Sequence, residues 1–379
     1  MTASKLRAAL TAILMGTAAV GVVSLAAAPA MAATVSAKVG PLLKEAQTLA
    51  QAGNYKGAEA KLDQADKVKS TADDAAIIRQ LRSFIAIKSG DVTTKEGAKA
   101  KFANDYNARN YKAVIADGEA LRKVGALDGQ AMQIIAQSYY LSHDYKGCMR
   151  YIKSNFRNPG DSTLELLMRC AYEDGDDDTQ RTTLETLVAH SGKAEYWKNL
   201  LRLSERAKGL SDHNTLDVNR LRLMTGNVTT KDEYTLLAQL ALQLGLPAEA
   251  QTVLEKGVAA KVLTDDRSQK LLALAKTQAA AAAAGEAKAL ATAKADPQGD
   301  AMVKVAENMI GEGKAKEAIT IIQDALKKPL RDKANAQLRL GQAYLAAGQK
   351  AQAVKAFDEV KTPQKDAMIA HLWSLKAAR

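Results

Sequence analysis

Residues 335–361 read NAQLRLGQAYLAAGQKAQAVKAFDEVK. Leu338, Gly341 and Tyr344 recur every three residues on one helical stripe, Gly348 halts the helix, and Ala353, Phe357 and Val360 form the facing stripe of a second. Small Gly341 and Ala353 let the two helices approach, and large Tyr344 and Phe357 fill the space beside them. The stretch predicts an antiparallel helical hairpin. Its apolar faces are too small to stand alone, so each hairpin has to stack on its neighbours.

Outward from this unit the corner between two helices keeps a beat of 34 residues, at Tyr111, Tyr145, Thr179, His213, Pro247, Ala281 and Ala315, then at Lys350 after one extra residue. A fixed period of that length describes a repeat array, and repeat arrays work by binding. Ser89-Gly90-Asp91-Val92-Thr93-Thr94-Lys95 is echoed by Thr225-Gly226-Asn227-Val228-Thr229-Thr230-Lys231, four periods later. In each, Gly ends one helix and Thr caps the next. Upstream, the 56 residues from Tyr55 to Tyr111 exceed one period by 22, which leaves room for an unpaired helix near Asp73 to Lys88. With aromatics at only 4% and Ala and Leu abundant, close-packed helices are expected and sheets are not.

The same small and large residues return in Ala46, Leu49, Gly53-Asn54-Tyr55, Ala58, Leu62 and Ala65. They return again in Ala136, Tyr139, His143-Asp144-Tyr145, Cys148 and Ile152. Further on stand Ala238, Ala241, Gly245, Ala250 and Leu254, and then Ala306, Met309, Gly313, Ala318, Ile322 and Ala325. On these residues the chain resembles the tetratricopeptide repeat, and Trp197 sits near the start of a helix, where that family favours Trp. The resemblance implies an all-α, right-handed superhelix (α-solenoid) of stacked antiparallel hairpins. The expected layout is a signal peptide over 1–32, N-terminal helices with one hairpin plus an extra helix over 33–93, about eight hairpins over 94–361, and a capping helix over 362–379. The pattern thins around Thr179, where Thr182 replaces the favoured Ala, and around His213. It blurs in the Ala-rich run from Gln278 to Ala295, where helix is still expected on propensity.

Lys5 and Arg7, the apolar run from Ala8 to Ala28, and Ala30-Met31-Ala32 form a secretory signal with cleavage after Ala32. No later segment is apolar for the roughly 18 residues that span a bilayer, so a periplasmic location with no membrane span after signal removal is expected. Loss of Lys5 and Arg7 takes the formal charge from +11 to +9. An excess of that size attracts polyanions. Behind a signal peptide these are anionic polysaccharide or lipid rather than nucleic acid.

No motif for a catalytic nucleophile, a phosphate loop or a zinc site is present, and the four His are far apart in sequence. The run Glu173 to Asp178 is too compact for a calcium loop and reads as a helix end, a Gly stop and an acidic helix start. The chain is therefore expected to be a non-enzyme with no catalytic residue, metal or cofactor. Cys148 and Cys170 fall on neighbouring helices, where a disulfide stapling two repeats and a pair of buried thiols both fit. The first helix of each hairpin should line a concave groove, which offers Gln133, Gln137, Tyr140, Lys198, Arg202 and Gln239 as binding residues. The expected function is a periplasmic interaction or assembly scaffold of the bacterial envelope, with a protein or peptide partner. The alternative is an accessory subunit of a polysaccharide or outer-membrane export system.

Overall fold

The computed structural model describes residues 35–206 and 209–379. The signal peptide expected over 1–32 lies outside the described residues. All regular structure among them is α-helical. The chain divides into two compact units, the first ending at Ala131 and the second running from Met132 to Arg379.

The first unit holds α1 (Gly40–Gln51), α2 (Tyr55–Val68), α3 (Ala72–Ser89), α4 (Lys95–Asn107) and α5 (Tyr111–Lys123). Helices α1 and α2 form one hairpin, α4 and α5 another, and α3 packs between α2 and α4. The corner of the first hairpin is set by Asn54, whose side chain accepts from the Gly57 amide. Helix α3 starts on a capping box of Thr71 and Asp74. The Asp74 carboxylate is buried and also accepts from the Ser36 and Ser70 amides, and these donors hold it far below the usual carboxylate range.

The second unit takes in α6 (Gly129–Leu141), which begins just ahead of its boundary, α7 (Tyr145–Asn155), α8 (Asp161–Asp174) and α9 (Asp177–Ser191). It continues with α10 (Ala194–Glu205), α11 (Asp212–Met224), α12 (Lys231–Gln243), α13 (Pro247–Ala259) and α14 (Asp266–Ala295). It ends with α15 (Asp300–Gly311), α16 (Ala315–Ala325), α17 (Lys333–Ala346), α18 (Lys350–Asp358) and α19 (Gln364–Ala377).

The 34-residue beat is written in the helix starts. Helices α5, α7, α13, α16 and α18 begin on Tyr111, Tyr145, Pro247, Ala315 and Lys350, and α9 and α11 begin within two residues of Thr179 and His213. The two echoed loops do the same work. Gly90 and Gly226 have φ of 67° and 73°, a left-handed conformation that Gly adopts more readily than other residues, and Thr94 and Thr230 cap α4 and α12. In the hairpin of α17 and α18, a Cβ on Gly341 would stand under 3.0 Å from the Phe357 ring. That Gly is the condition for the two helices to meet.

One expected corner is absent. Ala281 stands inside α14, a single helix of 30 residues started by Asp265, whose side chain accepts from the Ser268 amide. The corners here turn on a left-handed residue two places before the next helix, as at Gly53, Gly245, Gly313 and Gly348, and often carry a polar cap after it. The Ala run offers neither, and Gly285 costs only about 1 kcal/mol in a helix of such strong formers. At 1.5 Å per residue α14 is about 45 Å long, and from Lys276 to Thr292 none of its residues is buried.

The second unit is also closed by its own C-terminus. Helix α19 packs on α18, α17 and α11 and touches α9. Its Ile369, Leu372, Trp373 and Ala377 join Leu187, Trp197, Leu200 and Leu221 in one core. The seam is pinned where Asn214 Nδ2 donates to Asp366 Oδ1 at 2.6 Å, Lys365 Nζ to the Gly209 carbonyl at 2.7 Å, and Arg379 Nη1 to the Val188 carbonyl at 2.5 Å. Helix α17 is enclosed on all sides, every residue from Leu338 to Ala343 being buried.

Candidate functional site

The enclosed side of the second unit is filled by an ion cluster. Arg339, with no exposed surface, reaches Asp217 with both terminal nitrogens, Nη1 to Oδ1 at 2.5 Å and Nη2 to Oδ2 at 2.7 Å. Its Nε lies 3.1 Å from Glu307 Oε1. Arg220 joins Asp217 at 2.8 Å, both Glu249 oxygens at 2.7 and 2.5 Å, and Glu307 at 3.2 Å. Gln342 Nε2 donates to Asp217 Oδ1 at 2.8 Å, and Lys304 Nζ stands 3.8 Å from Glu307. Three carboxylates thus meet three cations drawn from α11, α13, α15 and α17.

Burial pushes the Asp217 and Glu307 carboxyls upward, but Arg339 and Arg220 outweigh it and hold both below the usual range. These acids stay ionised at neutral pH. They have no proton to give, and the cluster serves as a lock rather than as acid–base machinery. Among the described residues, no three His, Cys, Asp or Glu side chains gather where they could hold a metal.

The outward side is different. Between α12 and α14 lies a cleft of about 510 Å³ lined by Lys231, Asp232, Thr235, Leu236 and Gln239 from one helix and Arg267, Ser268, Lys270, Leu271 and Leu274 from the other. Its backing is rigid: Leu237, Ala238 and Ala241 of α12 and Leu272 and Ala275 of α14 are buried in a common core. Capping fixes the start of each wall. Thr230 and Glu233 form a capping box on α12, and Asp265 caps α14.

With the inner stripe committed to the core, the adjacent leucines face outward, Leu236 at 55% and Leu274 at 48% exposure. Lys231 is held by Asp265 at 2.9 Å, whereas Asp232, Arg267 and Lys270 have no ion-pair partner among the described residues. The Thr235 hydroxyl oxygen is buried and has no hydrogen-bond partner among them either. An apolar pair, two available cations and an unsatisfied hydroxyl in one concave place are what a binding site needs.

A larger cleft of about 930 Å³ lies in the first unit between α2, α3 and α4, over Ile85 and Ala86. Of the cations that line it, Arg82 is engaged, reaching Glu59 at 3.0 Å and Asp63 at 2.6 Å, whereas Lys56 and Arg79 have no ion-pair partner among the described residues.

The six residues assigned to a groove have different surroundings. Gln133 spends its amide on Thr163 and Ser162 at the start of α8, at 2.9 and 3.2 Å. Tyr140 packs against Tyr145 with ring centroids 5.7 Å apart and lies against the local core, and Gln137 is half-buried beside it. Lys198 and Arg202 stand exposed on α10 with no carboxylate partner among the described residues. Gln239 alone of the six lines a described cleft.

The leucines and cations around Gln239 carry no signal in the sequence, because consecutive leucines on one helix can both be buried, as Leu200 and Leu201 are, and only the packing of α12 leaves Leu236 outside. Cys148 and Cys170 form a disulfide joining α7 to α8.

No family model matches this chain, and no curated protein matches it. Among solved structures it is similar to the tetratricopeptide domain of P58(IPK), at 12% identity and TM-score 0.27 over 90% of this chain and 78% of the other. It is also similar to Naa15/Naa10 bound to HypK-THB, at 14% identity and TM-score 0.33 over 88% of this chain and 60% of the other. A third is the APC/C hetero-tetramer Cut9–Hcn1, at 13% identity and TM-score 0.25 over 89% and 76%. On its own geometry, with helix starts spaced by 34 residues and successive hairpins packed on one another, this chain is an all-α array of helical hairpins.

Proposed function

We propose that this chain is an exported, non-enzymatic scaffold of the bacterial envelope that holds a polypeptide partner in the cleft between α12 and α14. The observation that carries the reading is the pair of exposed leucines, Leu236 and Leu274, facing one concave place on a rigid backing. Soluble surfaces scatter large apolar groups singly, and paired ones in a cleft favour a protein partner. Export is supported by the signal pattern before Ala33 and by the Cys148–Cys170 disulfide, a bond that persists in oxidising compartments. The alternative role against an anionic polysaccharide rests on surplus positive charge alone. Sugars have no use for two leucines.

A photo-crosslinking residue placed at Leu236 or Gln239 in living cells tests the reading. The expected result is a discrete polypeptide adduct at both positions and none at Tyr172, which is equally exposed on α8. Absence of any adduct above the Tyr172 level overturns it. For export, the mature N-terminus is expected at Ala33, read by terminal sequencing of protein released by osmotic shock.

A further inference from the structure

The chemistry of the partner can be read from what the cleft leaves unpaired, given that the cleft is a polypeptide site. Lys231 and Asp265 neutralise one another. Of the remaining charges, Arg267 and Lys270 on α14 outnumber Asp232 on α12, so the wall offers net positive charge beside Leu236 and Leu274. We propose that the cleft takes a partner segment carrying a large apolar side chain flanked by carboxylates, the apolar group seated on Leu236 and Leu274 and the carboxylates meeting Arg267 and Lys270.

A second copy of this chain is disfavoured as occupant, because it would bring the same cations to the same place on a mature molecule of formal charge +9, the +11 of the full sequence less Lys5 and Arg7. A purely anionic polymer is disfavoured too, because it would leave both leucines uncovered. The apolar anchor supplies the affinity and the cations supply the choice of partner.

Three fluorescent octapeptides serve as probes against the mature chain: glutamates around a central pair of leucines, lysines around the same pair, and glutamates around a pair of glycines. The first is expected to bind at least about tenfold more tightly than either of the others by anisotropy. In Arg267→Glu, Lys270→Glu protein the order of the first two reverses, a gain of binding that misfolding cannot imitate. In Leu236→Ser, Leu274→Ser protein the preference for leucine over glycine disappears.

Equal binding of the leucine and glycine peptides overturns the proposal in favour of charge alone, as does a preference left unreversed by the charge swap. Failure of all three peptides overturns the acidic-apolar assignment. The in-cell crosslinks at Leu236 then report separately whether the cleft still holds a polypeptide of other chemistry.

Discussion

Arg339 sits between Leu338 and Leu340 with no exposed surface, a charge in the middle of an apolar helix. Such a residue is tolerated because Asp217 and Glu307 meet it with charge-assisted bonds in a place water does not reach. Removing it leaves two carboxylates buried with too few cations. Arg339→Ala is therefore expected to cost about 3–5 kcal/mol of stability, read from urea unfolding followed by circular dichroism. A loss below about 1 kcal/mol would show that water enters and rescues the acids. The sequence reading passed over this residue for a physical reason. The spacing of Leu338, Gly341 and Tyr344 describes one stripe of a helix, and Arg339 counts as a solvent-facing residue if that helix has an outside. Only the enclosure of α17 by α15, α16, α18 and α19 removes its outside, and enclosure belongs to the tertiary structure.

The elements themselves were more legible. A Gly stop, an Asn, Asp or Thr cap and apolar stripes at helical spacing are local chemistry, so the starts at Tyr55, Tyr111, Tyr145 and Lys350 could be found by reading along the chain. Where local signals fade, the period carried the expectation past its evidence, and the corner placed at Ala281 became the middle of α14. That helix is sustained by propensity more than by packing, and Gly285 is its weak point. A Cβ at Gly285 meets nothing within 4 Å, and the position is exposed. Gly285→Ala is expected to stabilise the helix by about 0.5–1 kcal/mol. Slower amide exchange across residues 280–290 would register the gain. Unchanged exchange would mean that α14 is held by its packed ends and not by its middle.

On the scale of the whole molecule, the period describes how each hairpin meets the next and is silent about hairpins far apart. Gln133 and Tyr140 came out engaged with α8 and the local core, while Lys198 and Arg202 came out on an open face of α10. A concave surface inferred from spacing assumes an open stack, and α19 closes the second unit instead. In an open stack, deletion of residues 362–379 would disturb α18 and little else. Here it uncovers Leu187, Trp197, Leu200 and Leu221, each of which shares a core with Trp373. Amide exchange at Leu187 and Leu200 is expected to rise by at least about a hundredfold, since losing Ile369, Leu372 and Trp373 forfeits several side-chain burials of roughly 1.5–3 kcal/mol each. A rise confined to α18 would restore the open-stack picture.

The bond between Asp217 and Arg339 spans 122 residues, and chains are made from the N-terminus at about 5–20 residues per second, so the acid is synthesised roughly 6–25 s before its cation exists. During that interval Asp217 and the α11 face around it have to remain hydrated, and the hairpins already formed cannot seal. The second unit therefore matures in one late event, when its final turns arrive. A chain that ends before Arg339 is left unsealed with its charged interior open to water, and is expected to be cut by proteases that spare the finished molecule.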